Sequence, residues 1–304
     1  MLDICLLGTG GMMPMPSRFL TSLLVRQNGK MAMVDCGEGT QITMKMQGWG
    51  FKNTDVICFT HYHADHISGL PGLLLTLANA GREEPLTLIG PVGLEYVVEG
   101  LCRICSELPF PLKMIEIETS TEKPILVGEF EISACKVNHN VTCFAYRFDV
   151  HRKGKFDVEK ANALNLPRLL WGQLQKGETV YHGDREYFPD MVMGEARKGI
   201  SVAYCTDSRP VDALSTFAKG VNLFICEGMY GEDEKLQKAK EKKHMLFSEA
   251  AQLAKRGEVE KLWLTHFSPS LSNPEDFLEV AKAIFPETEI GEDRKCTVIH
   301  FPED

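Results

Sequence analysis

The sequence predicts an α/β protein in which two sheets are sandwiched between helices. Three observations carry that prediction. Short apolar runs alternate with helix-like stretches along the chain, in two similar halves. Several of those runs end in a metal-type residue: Thr60-His61, Thr206-Asp207 and Thr265-His266. Residues 61–66 read His-Tyr-His-Ala-Asp-His, at the junction of a strand-like run and an apolar helix-like run. In α/β proteins, ligands usually bind at the carboxyl ends of strands.

The elements follow in order. DICLLGTGG at the start reads as a strand ending in a glycine turn. LTSLLV and MAMVDC, within 20–36, read as two strands joined by the hairpin-type turn Asn28-Gly29-Lys30. Glu38 to Gln47 reads as a helix. Val56 to Thr60 is a strand, and the apolar run Pro71 to Ala80 after the histidine cluster is a helix. LTLIGP (86–91) is a strand with a Gly-Pro stop, and VGLEYVVEGLCRIC is a helix. FEISACKVNHN and CFAYRFDV, within 130–150, are strands around a loop carrying His139. Residues 151–199 change character: they are polar, with scattered Gly and Pro, and read as an insertion within a single domain spanning 1–304. ISVAYCTDS (200–208), NLFICEG (222–228), KLWLTHFS (261–268) and the closing CTVIHFP are strands. Lys235 to Gly257 reads as one helical stretch with His244 near its middle.

Composition narrows the class. A chain of 304 residues, 44% hydrophobic and 25% charged, can bury a large core and looks like an ordinary globular protein. The start, MLDICLLGTGG, lacks a basic segment and its apolar run is too short for a signal peptide. No apolar stretch approaches a membrane span, so the expectation is a cytoplasmic protein with no membrane partner. The ten cysteines are spread singly, mostly inside apolar runs, as buried free thiols are. Cys102 and Cys105 form one CxxC without a second pair, in the helix-like VVEGLCRICSEL. The net charge of −9 argues against a general nucleic-acid coat, since phosphate binding then needs local positive charge. Two basic clusters offer it: Arg152, Lys153, Lys155 and Lys160, and Lys235, Lys238, Lys240, Lys242 and Lys243. A solvated face is the plain alternative for both.

The histidine cluster carries the chemistry. On an extended backbone alternate side chains share a face, so His61 and His63 can grip one cation. Asp65 and His66 fall where the chain turns and can face a second site. Imidazole with carboxylate suits Zn²⁺, with Mn²⁺ or Fe²⁺ as competitors. His139, Asp207 and His266 stand on strand ends or loops. With the cluster they make seven ligands, enough for two adjacent metals if one carboxylate bridges. His61, His63 and His139 then serve one metal, Asp65, His66 and His266 the other, with Asp207 between them. Such a set leaves open coordination for water, which marks a catalytic rather than a structural site.

HYHADH with spaced His139, Asp207 and His266 resembles the metallo-β-lactamase fold superfamily. Within it, several stretches resemble the ribonuclease Z family, the tRNA 3′-end endonucleases: GTGGMMPMPSRFLTSLLV, DCGEGTQ (35–41), residues 61–94, TDSRP (206–210) and LTHFSP (264–269). The resemblance covers most of the chain. It implies an αββα four-layer sandwich with an inserted tRNA-binding arm at 151–199, two Zn²⁺ ions per chain, a homodimer, and Asp65 as both ligand and proton acceptor. Some segments depart from the family. Its His-Glu-Ala-Thr loop stands here as Cys226-Glu227-Gly228-Met229, and its His-Ser-Thr loop as His244-Met245-Leu246, so only Glu227 and His244 carry over. Its Arg-Asn stands here as Arg18-Phe19, and the Gly-Pro repeats of its arm give way to Pro167-Arg168-Leu169. His244 and Glu227 are expected to form a hydrogen-bonded pair in which a protonated histidine serves the leaving 3′-oxygen.

The function implied is a zinc-dependent endoribonuclease that processes tRNA precursors at their 3′ end. The alternative is a phosphodiesterase of the same fold acting on small or other nucleic-acid diesters. A β-lactamase or thioester hydrolase fits less well, because the segments around Asp207 do not match. An oxygen-reducing diiron protein would carry a carboxylate where His63 stands. A non-enzymatic metal-binding subunit would lack some of the ligands, and all seven are present.

Overall fold

The computed structural model describes residues 1–105 and 107–303, and within them lie two seven-stranded mixed sheets. The first runs in spatial order Cys296–Ile299, Leu2–Gly8, Ser22–Gln27, Lys30–Val34, Thr54–Cys58, Leu86–Pro91 and Leu112–Ile117. Its first four strands pair antiparallel, and from Lys30–Val34 onward the pairing is parallel. The second runs Thr288–Ile290, Leu262–Thr265, Leu223–Glu227, Arg197–Cys205, Cys143–Arg152, Phe130–Val137 and Ile125–Val127. Its first four strands are parallel neighbours, and its last three form antiparallel hairpins.

Helices cover the outer faces. Thr40–Gln47, Leu70–Asn79 and Leu94–Cys102 bury Met44, Leu73, Leu77 and Val98 against Ile57, Phe59, Leu86 and Leu88 of the first sheet. Asp212–Phe217, Phe247–Arg256 and Leu278–Lys282 bury Leu214, Ala251, Leu253 and Ala281 against Phe224, Leu262 and Leu264 of the second. Each fully buried Leu or Phe contributes about 1.5–3 kcal/mol from its removal from water. The inner faces meet through buried polar contacts as well. Tyr146 donates its hydroxyl to the Phe59 carbonyl at 2.8 Å, and the Thr21 hydroxyl lies 3.2 Å from those of Tyr204 and Thr265. The layers are therefore helix, sheet, sheet, helix.

Residues 150–199, with 301–303, form a second compact unit. It holds helices Val158–Ala163 and Arg168–Lys176 and the hairpin Val180–His182/Arg185–Tyr187. Ala161, Leu166, Leu174, Val180, Tyr187 and Val192 make a small core of its own.

Three readings change. The stretch from Lys235 to Gly257 is two helices, Leu236–Lys242 and Phe247–Arg256, broken at Lys243, which adopts a left-handed φ of 56°. His244 therefore sits in a loop, not on a helix face. The helix expected through VVEGLCRICSEL ends at Cys102, and the Cys105 amide closes a turn onto the Cys102 carbonyl at 2.9 Å; Ser106 of that stretch lies outside the described residues. The strands Leu112–Ile117 and Ile125–Val127 and the helices Asp212–Phe217 and Leu278–Lys282 had no clear signal in the pattern. All ten cysteines are free thiols. Among the described residues no helix is long and apolar enough to cross a membrane.

One close approach ties the histidine segment to the fold. A Cβ on Gly69 would lie 2.0 Å from the Gly37 carbonyl oxygen, and one on Gly37 would lie 2.1 Å from the Asp65 carbonyl oxygen. The Cys36 amide bonds the His66 carbonyl at 2.7 Å, and the Gly69 amide bonds the Cys36 carbonyl at 3.0 Å. Backbone meets backbone there, with no room for a side chain. Gly69→Ala is expected to cost about 1–3 kcal/mol, read as a fall in Tm of about 2–4 °C per kcal/mol. Gly100→Ala, inside a helix with nothing near its Cβ position, is the control and leaves Tm level or higher. Equal melting of the two variants would contradict the packing argument.

Candidate metal centre

The strand ends deliver the side chains. Parallel pairing sets Val34 beside Cys58, so Asp35 and Thr60 emerge together from the first sheet. In the second sheet Cys205 pairs with Cys226, and Glu227 with Thr265. Asp207, Glu227 and His266 thus leave the same edge on adjacent strands. Asp35, Asp207 and His266 all adopt left-handed backbone, with φ of 61°, 45° and 58°. Asp and His tolerate that region better than most residues, and such strain gathers at functional sites. His61 and His63 follow strand Thr54–Cys58, and Asp65 and His66 lie in the short helix Ala64–Ile67.

These residues converge in two groups with an overlap, and His244 makes a third group with Asp207 and His266. His61, His63, His139 and Asp207 bring one donor atom each within 4.8 Å of one another, and so do Asp65, His66 and His266. Asp207 reaches both. Its Oδ2 lies 3.1 Å from the Nε2 atoms of His66 and His266, and its Oδ1 lies 3.7 Å from His139 Nε2. His61 Nε2 stands 2.9 Å from His63 Nδ1, and Asp65 Oδ2 stands 3.4 Å from His66 Nε2. His61, His66, His266 and Asp207 are buried, while His63 and Asp65 are partly exposed and open the site to a cleft of about 370 Å³. Cys102 and Cys105 belong to neither group.

Does this donor set fit a cation? His66 Nε2, His266 Nε2 and Asp207 Oδ2 are buried without a hydrogen bond; their 3.1 Å approaches lack the alignment of one. Buried polar atoms left unpaired cost about 1–3 kcal/mol each, so the cluster is stable only with something at its focus. The electrostatics point the same way. Burial opposes charging His66, but the Asp207 and Asp35 carboxylates outweigh it and raise its pKa. Burial likewise opposes His266, which Asp207 and Asp65 raise to about 10. Asp207 stays ionised against burial because His266 and His66 favour its charge. The carboxylates call for positive charge, and a metal supplies it while releasing the protons. Burial, and then His66, hold His61 neutral, and burial lowers His139, which is the form a ligand needs. The residues fit a metal ion.

An outer shell orients the rings, and sequence reasoning missed most of it. Asp35, fully buried, accepts from His66 Nδ1 at 2.8 Å and from the Thr60 amide and hydroxyl at 2.8 Å each. The Thr60 hydroxyl also lies 3.0 Å from His61 Nδ1, and the Lys243 carbonyl lies 3.2 Å from His139 Nδ1. Each contact leaves the ring's other nitrogen for the centre. The signal for Asp35 was its place at the end of an apolar run, like Asp207. Glu227, fully buried, lies 3.0 Å from His244 Nδ1, 3.7 Å from His266 Nδ1, and accepts from the Ser208 amide. Burial opposes the charge of both members of the Glu227–His244 pair, yet each partner favours the charge of the other: Glu227 is lowered and His244 raised. His244 lines the cleft beside Asp65 and Asp207. Asp35→Asn keeps the shape but not the charge behind His66, and is expected to weaken metal affinity about 10–100-fold in a chelator competition. Unchanged affinity would remove Asp35 from this role.

Known proteins resemble this chain at every level. Residues 2–96 match the model of the family described as Anti-Pycsar protein Apyc1. A ribonuclease Z from Lachnospira eligens is 57% identical over 304 residues, covering 100% of both chains. The structure of the metallo-β-lactamase fold protein YhfI from Bacillus subtilis superposes with a TM-score of 0.70 at 19% identity, over 98% of this chain and 100% of that one. Human tRNase Z, short form, superposes with a TM-score of 0.69 at 23% identity, over 99% of this chain and 100% of that one. With that identity over its full length, on this fold and around this centre, the chain belongs to the ribonuclease Z family, the hydrolytic endoribonucleases of the metallo-β-lactamase fold.

Proposed function

We propose that this chain cuts tRNA precursors at their 3′ end by hydrolysing one phosphodiester with two zinc ions. His61, His63 and His139 would hold one ion, Asp65, His66 and His266 the other, and Asp207 would serve both. The observation that carries this reading is the Asp207 carboxylate, with one oxygen toward each histidine group. Mn²⁺ or Fe²⁺ would suit the same donors. When bound, such a pair supplies Lewis acidity and brings the pKa of water toward neutrality.

The chain's own residues do the rest. Asp65 stands partly exposed at the mouth of the cleft and accepts from the Met12 amide at 2.7 Å, which fixes one oxygen. It is the group best set to take the proton of an attacking water. His244 faces the same cleft, and Glu227 favours its charged form against burial, so it is set to give a proton to the departing 3′-oxygen. Glu227 acts through His244 and orients its ring. Residues 151–199 are the tRNA-holding arm in this reading, since a chain of net charge −9 has no general attraction for RNA. The reading includes a cytoplasmic homodimer, as the family resemblance implies.

Zinc reconstitution is expected to load about two ions per chain, and Asp65→Ala to lower RNA cleavage on the order of 10³-fold or more. Elemental analysis giving less than one ion, or an Asp65 variant with near-native cleavage, would refute these roles. Deleting the arm is expected to lower cleavage of a tRNA precursor far more than hydrolysis of bis-p-nitrophenyl phosphate, with a flatter salt dependence. Equal losses on both substrates would favour a general phosphodiesterase and deny the arm its role.

A further inference from the structure

The structure sorts the five lysines of residues 235–243. Lys235 pairs with Glu232 at 2.7 Å. Lys243 turns its ammonium onto the His139 carbonyl at 2.9 Å. Lys240 is exposed and stays outside the cleft. Lys238 and Lys242 are different. They stand four residues apart on helix Leu236–Lys242, on one face, and both line the cleft that holds His63, Asp65 and Asp207. Among the described residues neither makes a close ion pair, although Lys238, like Lys235, favours the charge of Glu232 from further off. The Lys238 ammonium lies 5.2 Å from the centre of the Tyr230 ring, which steadies it without neutralising it.

The helix is also locked to the centre. Its terminal residue and the next accept from the loop of His139: His139 Nδ1 lies 3.2 Å from the Lys243 carbonyl, and Asn140 Nδ2 donates to the Lys242 carbonyl at 3.4 Å. The helix backbone that carries the two lysines is therefore tied to the loop of His139. Exposed cations next to a hydrolytic centre raise the local concentration of anions. About 6 Å along the helix axis separates their backbone positions, so they offer two anchor points rather than one.

We infer that Lys238 and Lys242 form a subsite for the phosphates that neighbour the scissile one, so that the cleft takes a strand and not a lone diester. This rests on the endoribonuclease reading above and adds the residues that select a polyanion. A groove of cations tracking a backbone is the usual way to hold single-stranded RNA without reading its bases. The two side chains bind substrate and take no part in bond breaking.

The test compares wild type, K238A/K242A, K238R/K242R and the outward control K240A, all zinc-loaded. The substrates are a 3′-extended tRNA precursor, a short single-stranded oligoribonucleotide and bis-p-nitrophenyl phosphate. The double alanine variant is expected to raise KM for both RNAs at least about tenfold more than KM for the small diester, with kcat on RNA changing less than KM. Its log KM against log salt should flatten by about 1.4, two single-strand phosphate contacts at about 0.7 each. The arginine variant should recover most of the loss, and K240A should match wild type. Equal KM changes on all three substrates, an unchanged salt slope, or an equal effect of K240A would overturn the subsite. Wild type that cuts the oligoribonucleotide but not the tRNA precursor would instead sink the tRNA reading, and the oligoribonucleotide comparison would still decide the lysines.

Discussion

The buried, unpaired atoms at the focus of the histidines are the constraint from which the rest follows. His66 Nε2, His266 Nε2 and Asp207 Oδ2 face one another within about a bond's reach of a common cation, and none is hydrogen-bonded. A protein does not keep such atoms dry without return, because each costs free energy until it is satisfied. The other ring nitrogens of His66, His61 and His139 are met by Asp35, Thr60 and the Lys243 carbonyl, which hold those three rings in place. Orientation is built into the fold before any ligand arrives, as a metal site of defined geometry requires.

The sheets supply that orientation. Parallel strands in register place Asp207, Glu227 and His266 on one edge, and the pairing of Val34 with Cys58 does the same for Asp35 and Thr60. The glycines at 37 and 69 then let the histidine segment press onto the loop that carries Asp35. The site residues that lie on irregular backbone depend on regular neighbours for their position. His244 is the exception that needs a break: the left-handed turn at Lys243 ends one helix early and drops the imidazole onto Glu227.

Much of this was legible in the chain, for physical reasons. The cluster at 61–66 is local, so six residues reveal it. Asp207 and His266 each close an apolar run, and a strand that ends in a polar ligand is a readable pattern. The sandwich itself followed from alternating runs, and the family resemblance named it. What stayed hidden was non-local or unmarked. Asp35 touches His66 across 31 positions, and its place at the end of an apolar run does not say which residue it meets. Leu112–Ile117 is only partly buried and mixes Lys and Glu with its apolar residues, so its pattern is weak. The break at Lys243 has no Gly or Pro to mark it, and the helical period runs through Lys235 to Gly257 unbroken. Its cause is tertiary: Arg209 grips the His244 carbonyl at 2.6 Å and pairs with Glu249.

The central claim is that one carboxylate, Asp207, joins two metal sites in a hydrolytic centre. Anomalous diffraction at the zinc edge, on crystals of the zinc-loaded protein, tests it most directly. Two peaks about 3.5–4 Å apart, one beside His61, His63 and His139 and one beside Asp65, His66 and His266, with Asp207 between them, are expected. A single peak, or two peaks with Asp207 touching neither, would contradict the account.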